Sequence, residues 1–208
     1  MVGYLRVDFI GSAMLTPLPE MLGTYRRQFP KVHLQLHESY TASVVRSLLN
    51  GSLDAGFLRD GGPISGLETQ VLFSESLIAI VPATHPLASF KPISAARLRY
   101  EPFVFVSPNA SSHAYEKTIA PCVEQGFPYN VVQDAPQWLT VLRLVGAGLG
   151  VTIAPNCVRQ TAASNVVCLR LRDTQATSDL ELAYRTTENR AIVSTFTRQN
   201  FHPSWPVS

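Results

Sequence analysis

The stretch GYLRVDFIGSAMLTPLPEML, residues 3–22, decides how the chain is organised. Over residues 4–10, Leu5, Val7 and Phe9 fall on one face of an alternating run, the pattern of a strand. Gly11 breaks the run and Ser12 follows. Leu15, Leu18, Leu22, Tyr25 and Phe29 then recur at helical spacing, with Pro17 and Pro19 near the start and Pro30 at the end. A helix start presents unpaired N–H groups and a partial positive charge. One reading therefore makes Ser12 an anion receptor, its hydroxyl acting with the N–H groups of Ala13 and Met14. The other makes Ser12 a helix cap worth ~1 kcal/mol.

The theme repeats downstream. VHLQLHE alternates Val32, Leu34 and Leu36 against polar neighbours; Val44, Val45, Leu48 and Leu49 follow at helical spacing up to Asn50-Gly51; LDAGFL is a third strand. Strand, helix, strand, helix, strand predicts two βαβ units and a parallel sheet. Such sheets take ligands at the carboxyl ends of their strands. Thr41, in ESYTASVV, occupies the second strand-to-helix turn and has the same two readings as Ser12, anion contact or cap.

A second αβ segment starts near residue 72 with the apolar strand LIAIVP. PFVFVSP reads as a buried strand, residues 114–125 as a helix with Ile119 and Val123 on one side, and YNVVQD as a strand. Residues 138–147 read as a helix with Leu139, Leu142 and Val145 inward, followed by strand in GLGVTIAP. VVCLRL and DLELAYR are two further strands, and residues 190–200 a last helix.

Apolar residues make up 46% of the 208-residue chain, enough for an ordinary globular core. Seventeen basic against fifteen acidic side chains, scattered along the chain, give no basic face for nucleic acid. Arg26-Arg27 and Arg170 with Arg172 read as solvated faces. Three cysteines, Cys122, Cys157 and Cys168, form neither a disulfide framework nor a metal signature, which points to a reducing, cytoplasmic compartment. No apolar run approaches the ~18 residues of a membrane span, and no leader is evident, so neither membrane nor export is expected.

Other motifs carry less. His33 and His37 share a strand face without acidic or thiol partners in sequence, so no metal and no cofactor is expected. Ser111-Ser112-His113 lacks the elbow a nucleophile needs, and GAGLG lacks the dinucleotide spacing. Asp54 reads as a strand-end or turn residue rather than a catalytic acid.

GYLRVDFIGSA, LPEML, YRRQFPKVHLQLHE, LLNGSLDAGFLR, LIAIVPATHPLA and LRLVGAGLGVTIAP, in this order, resemble the effector-binding portion of LysR-type transcriptional regulators over nearly the whole chain. The nearest resemblance is to members that sense aromatic compounds or muconate-like dicarboxylates. It implies an α/β fold of two Rossmann-like lobes, of the periplasmic binding protein type 2 kind, joined by two crossover strands. Residues 1–74 and 176–208 would form regulatory lobe I and residues 75–175 regulatory lobe II, with a small carboxylate effector in the cleft.

Carried over by that resemblance, Ser12, Ala13 and Thr41 hold the effector carboxylate from the first lobe, and Ser107, Pro108 and Asn109 contribute from the second. Trp138 matches a cleft-facing position whose aromatic ring suits a flat effector; its alternative is core packing. Arg59 would pair across the lobes with Gln137, or else be solvated. The resemblance also implies a homodimer or homotetramer, with candidate surfaces on the helices at residues 15–29 and 114–125. DNA would be bound only through an N-terminal winged helix-turn-helix that this sequence does not contain. The role implied is regulation of transcription without catalysis. A two-lobe solute receptor or an enzyme on the same fold is the alternative, since fold does not fix function.

Overall fold

The computed structural model describes residues 1–198. Its secondary structure follows the strand–helix alternation: β1 (Gly3–Ile10), α1 (Leu18–Gln28), β2 (Val32–Ser39), α2 (Thr41–Leu49), β3 (Ala55–Arg59), β4 (Leu67–Pro82), β5 (Pro102–Val106), α3 (Ser112–Glu124), β6 (Asn130–Ala135), α4 (Trp138–Gly146), β7 (Thr152–Pro155), β8 (Val166–Arg170), β9 (Thr177–Arg185) and α5 (Ala191–Thr197). The chain divides into two units, Met1–Ser74 with the chain from Asp179 onward, and Glu75–Ser178. By these boundaries β4 and β9 each pass from one unit into the other.

In the first unit β1 pairs in parallel with β2 on one side and β3 on the other, and β9 runs antiparallel to β3. One face of this sheet packs Leu5, Val7 and Phe57 against Leu22 and Tyr25 of α1 and Phe196 of α5. The other face packs Leu58 and Ala183 against Val44 and Leu48 of α2. Alternation along β3 and β9 thus feeds two cores, one per face. Helix α2 stops at Gly51, whose φ of +79° costs an L side chain but not glycine.

In the second unit the far half of β4 pairs antiparallel with β7 and β8, and β5 pairs in parallel with β6. Its core gathers Leu77, Ile93, Phe103, Phe105, Val151 and Ile153. The GLGVTIAP block requires its second glycine here. A Cβ on Gly150 would lie 2.3 Å from the Pro102 carbonyl oxygen, the same oxygen that accepts the Val151 N–H at 2.8 Å.

Several expectations are corrected. The first helix starts at Leu18, not Leu15; Gly11–Leu15 is a separate 3-10 turn. Thr16 is extended, φ −121° and ψ −179°, as a residue before proline is driven to be. Strand β4 starts at Leu67, ahead of residue 72, where the sequence pattern places the start of the segment. Leu139 is exposed, and the buried residues of α4 are Val141, Leu142 and Val145. With 3.6 residues per turn those three define a stripe in which Trp138 falls and which Leu139 misses. Val123 is likewise exposed, because Thr118, Pro121 and Cys122 define the buried stripe of α3. The expected last helix is seen as α5; its residues 199–200, and the tail, lie outside the described residues.

Candidate functional site

Strands β2, β1 and β3 lie side by side and parallel, so their carboxyl ends fall on one edge of the sheet. Thr41 follows the end of β2, Ser12 follows the end of β1, and Arg59 is the last residue of β3. All three are buried, with exposures of 8%, 6% and 3%. The Arg59 Nε–H donates to Ser12 Oγ at 3.2 Å. The Arg59 backbone N–H reaches Thr41 Oγ1 at 3.5 Å, the outer limit of such a bond. Ala13, also buried, lies in the 3-10 turn after Ser12.

This arrangement replaces the capping readings. The 3-10 turn that holds Ser12 has Ile10 as its cap residue and no side-chain cap bond. Thr41 is the first residue inside α2, whose cap residue is Tyr40, again without a side-chain cap bond. Thr16 is the hydroxyl beside the start of α1, accepting the Leu18 N–H at 3.3 Å. The solvated reading of Arg59 is also overturned: its guanidinium is inside the first unit, on Ser12. A guanidinium carries planar donor pairs that match a carboxylate, and here one of its N–H groups is on the Ser12 hydroxyl.

The second unit offers a different strand-end cluster. Val106 at the end of β5 lies opposite Ala135 at the end of β6. Ser107, Pro108 and Asn109 follow the first strand, and Gln137 and Trp138 the second. The Ser107 N–H donates to the Ala135 carbonyl at 2.9 Å, closing the pair of turns. Gln137 is the cap residue of α4 and Trp138 its first residue. Ser107 and Trp138 are half-buried, and Pro108 and Asn109 are exposed. This cluster holds hydroxyl, amide and indole groups but no charge.

The remaining chemistry-bearing residues are structural. Asp54, fully buried, bridges Arg6 at 2.7 Å and Arg190 at 2.5 Å. Burial alone would raise its carboxyl, but hydrogen bonds from the two arginines outweigh that and hold it at about 2. Glu188 is likewise held at about 2, chiefly by the Arg190 hydrogen bond. Ser111 caps α3 by accepting the Ala114 N–H, which explains the Ser111-Ser112-His113 run. His37 faces Asp8 at 3.8 Å and His33 stacks edge-on with Tyr4. Among the described residues no group of three or more His, Cys, Asp or Glu is placed to hold a metal. Burial lifts the Cys122 thiol to about 12, so it stays protonated and inert. No helix among the described residues is long and apolar enough to cross a membrane.

Sequence reading found the hydroxyls but missed that Arg59 joins them. The available signal was FLRD, two charges directly after an apolar run, which places a charge at the tip of a strand buried on both faces.

The comparisons with known proteins agree on one family. The model of the LysR substrate binding domain matches residues 1–199. The HTH-type transcriptional regulator AlsR of Bacillus subtilis (strain 168) is 30% identical over 194 residues, 93% of this chain and 64% of AlsR. The chain thus spans less than two thirds of that relative's length. Among solved structures, the effector binding domain of QuiR in complex with shikimate superposes with a TM-score of 0.86 at 17% identity, covering 97% of this chain and 96% of that one. The BenM effector binding domain with its effector benzoate gives a TM-score of 0.77 at 24% identity, covering 99% and 97%. These likenesses give the fold, α/β of the periplasmic binding protein type 2 kind, as expected from the sequence. By sequence and by fold, the chain belongs to the LysR substrate-binding domain family.

Proposed function

We propose that this chain is the effector-sensing part of a transcriptional regulator and that its ligand is a small carboxylate. The observation that carries the reading is the buried Arg59 guanidinium, held against the Ser12 hydroxyl at the carboxyl edge of a parallel sheet, with Thr41 on its backbone N–H. The guanidinium fork matches the geometry of a carboxylate, and charged hydrogen bonds are about twice as strong as neutral ones. Arg59, Ser12, Thr41 and the backbone at Ala13 are assigned to the carboxylate. Ser107, Pro108, Asn109 and Trp138 are assigned to the remainder of the effector, the indole favouring a flat or apolar body. Residues 1–74 with the C-terminal segment act as regulatory lobe I and the intervening residues as lobe II. AlsR is a transcriptional regulator, and QuiR and BenM are bound to shikimate and benzoate, both ligands of the class proposed.

In the whole protein, effector occupancy would bias one arrangement over another through its unequal affinity for the two. Moving such a balance from 1:99 to 99:1 takes roughly 5.5 kcal/mol of preference. The whole protein is assigned to the cytoplasm, as a homodimer or homotetramer that meets DNA through a winged helix-turn-helix outside this chain. The residues assigned to the effector carry hydroxyls, amides, an indole and a guanidinium, groups that suit binding, which favours sensing over catalysis.

The test is a calorimetric screen of benzoate, salicylate, chlorinated benzoates and muconate, repeated on the Ser12→Ala, Thr41→Ala double variant. Losing two hydroxyl contacts weakens the best binder at least about tenfold, with little change in melting temperature. Equal affinities in parent and variant would remove these hydroxyls from the site.

A further inference from the structure

The residue after Arg59 departs from ordinary backbone. Asp60 has φ +49°, in the left-handed region that residues other than glycine seldom adopt, and it is 4% exposed. It stands one rung beyond the β3–β9 ladder, where Arg59 faces Leu180. A hydrogen-bonded antiparallel rung exchanges two N–H···O=C bonds. Asp60 makes the first of them in the normal way: its N–H donates to the Asp179 carbonyl at 2.9 Å. For the second, the Asp179 N–H donates to Asp60 Oδ1 at 2.7 Å. The left-handed backbone turns the chain off the strand, and a side-chain oxygen takes the place of the peptide carbonyl in the rung. Glycine would adopt this backbone freely, and Gly61 and Gly62 follow, yet the position holds an aspartate. Its carboxylate therefore does something glycine cannot.

The rung extends further. The Asp179 carboxylate accepts the Ser74 hydroxyl at 2.5 Å. Ser74 and Asp179 are the residues at which β4 and β9 leave the first unit. Asp60, covalently next to Arg59, is thus hydrogen-bonded to Asp179 of β9 and through it to Ser74 of β4.

We infer that Asp60 is a positioning residue: its carboxylate oxygen closes the last β3–β9 rung, holds the Arg59 guanidinium on Ser12, and ties the anion-holding strand end to β4 and β9. The inference rests on the proposed function only in giving Arg59 an anion to hold; the positioning itself is measurable without ligand.

The experiment uses the full 208-residue chain. Exchange of the Arg59 Nε–H with water is followed by nitrogen-15 NMR, the signal being assigned by its loss in Arg59→Lys. In the parent the hydrogen bond to Ser12 protects it. Asp60→Gly relieves the backbone but removes the acceptor, and exchange accelerates about tenfold or more. Asp60→Ser, whose oxygen is one bond short, does the same if the glycine variant folds poorly. Asp60→Asn retains Oδ1 and stays within about threefold of the parent. With benzoate as probe, affinity falls about fivefold in Asp60→Gly and is rescued in Asp60→Asn. Parental exchange in both Asp60→Gly and Asp60→Ser overturns the inference. So does an asparagine variant that behaves like the glycine one, since the charge and not the acceptor would then matter. A parent that binds no benzoate counts against benzoate as effector, while the exchange rates still decide on Asp60.

Discussion

The two units end their parallel strands in different ways. In the first, three adjacent strand ends meet at buried Arg59, whose side chain is on the Ser12 hydroxyl and whose backbone N–H reaches that of Thr41. In the second, two strand ends carry a serine, an exposed Pro-Asn pair, an amide and a half-buried indole, with no charge among them. Both edges arise from the same strand–turn–helix grammar, yet one carries a buried guanidinium and the other only neutral groups. The difference teaches a division of labour: the first edge would supply most of the affinity for an anion, and the second would choose among anions by the shape of the body attached to the carboxylate.

The largest expected effect is therefore at Arg59. Arg59→Met removes a charged donor worth about 1.5–3 kcal/mol and should weaken the effector by roughly 10- to 100-fold. Loss of a comparable factor on changing Ser107 or Asn109 instead would reverse the proposed division.

Asp54 carries a charge that serves folding, paired with Arg6 and Arg190. Its carboxyl is held at about 2, below the ordinary 3.8, so the folded state favours its ionised form. That contribution is fully present above about pH 4 and is lost as the pH falls toward 2. Its partners Arg6 and Arg190 are 40% and 44% exposed, so screening trims the effect. Asp54→Asn should cost on the order of 1–2 kcal/mol at neutral pH and flatten the acid limb of the unfolding curve between pH 4 and 2. Effector affinity should not move. A variant that binds less tightly while unfolding like the parent would place Asp54 in the site.

The smallest effect is expected at Trp138. Trp138→Ala should weaken aromatic acids about fivefold and aliphatic dicarboxylates hardly at all, because the indole contributes stacking rather than charge. Uniform weakening of both classes would make Trp138 a packing residue, measurable as a matching fall in melting temperature.

Much of the fold is legible in the sequence, for reasons that differ by residue. Alternation in residues 4–10 and helical spacing after Pro17 set the strand–helix order because each period reports a face. Ser12 and Thr41 stand out because strand-to-helix turns of parallel sheets are where ligands sit. Their partners are not legible. Local sequence makes a hydroxyl at such a turn look like a cap, while the structure turns both toward Arg59, a residue 47 and 18 positions away. Arg59 itself looks like a solvated charge, because burial of a strand tip depends on neighbours distant in sequence. Leu139 and Val123 are misplaced for a related reason: apolar spacing alone leaves the centre of a helix stripe uncertain by about one residue, and that is roughly 100° of rotation. Asp60 gives no sign, since left-handed backbone at a non-glycine residue is a tertiary outcome.

Capture of a carboxylate by a buried guanidinium is the claim on which the rest stands. Calorimetric titration of one binding acid into the parent and into Arg59→Met, both checked for equal melting temperature, tests it most directly. The account predicts a fall in affinity of about 10-fold or more, with the heat of binding shrinking as the charged hydrogen bonds are lost. Superimposable isotherms for the two proteins would contradict it.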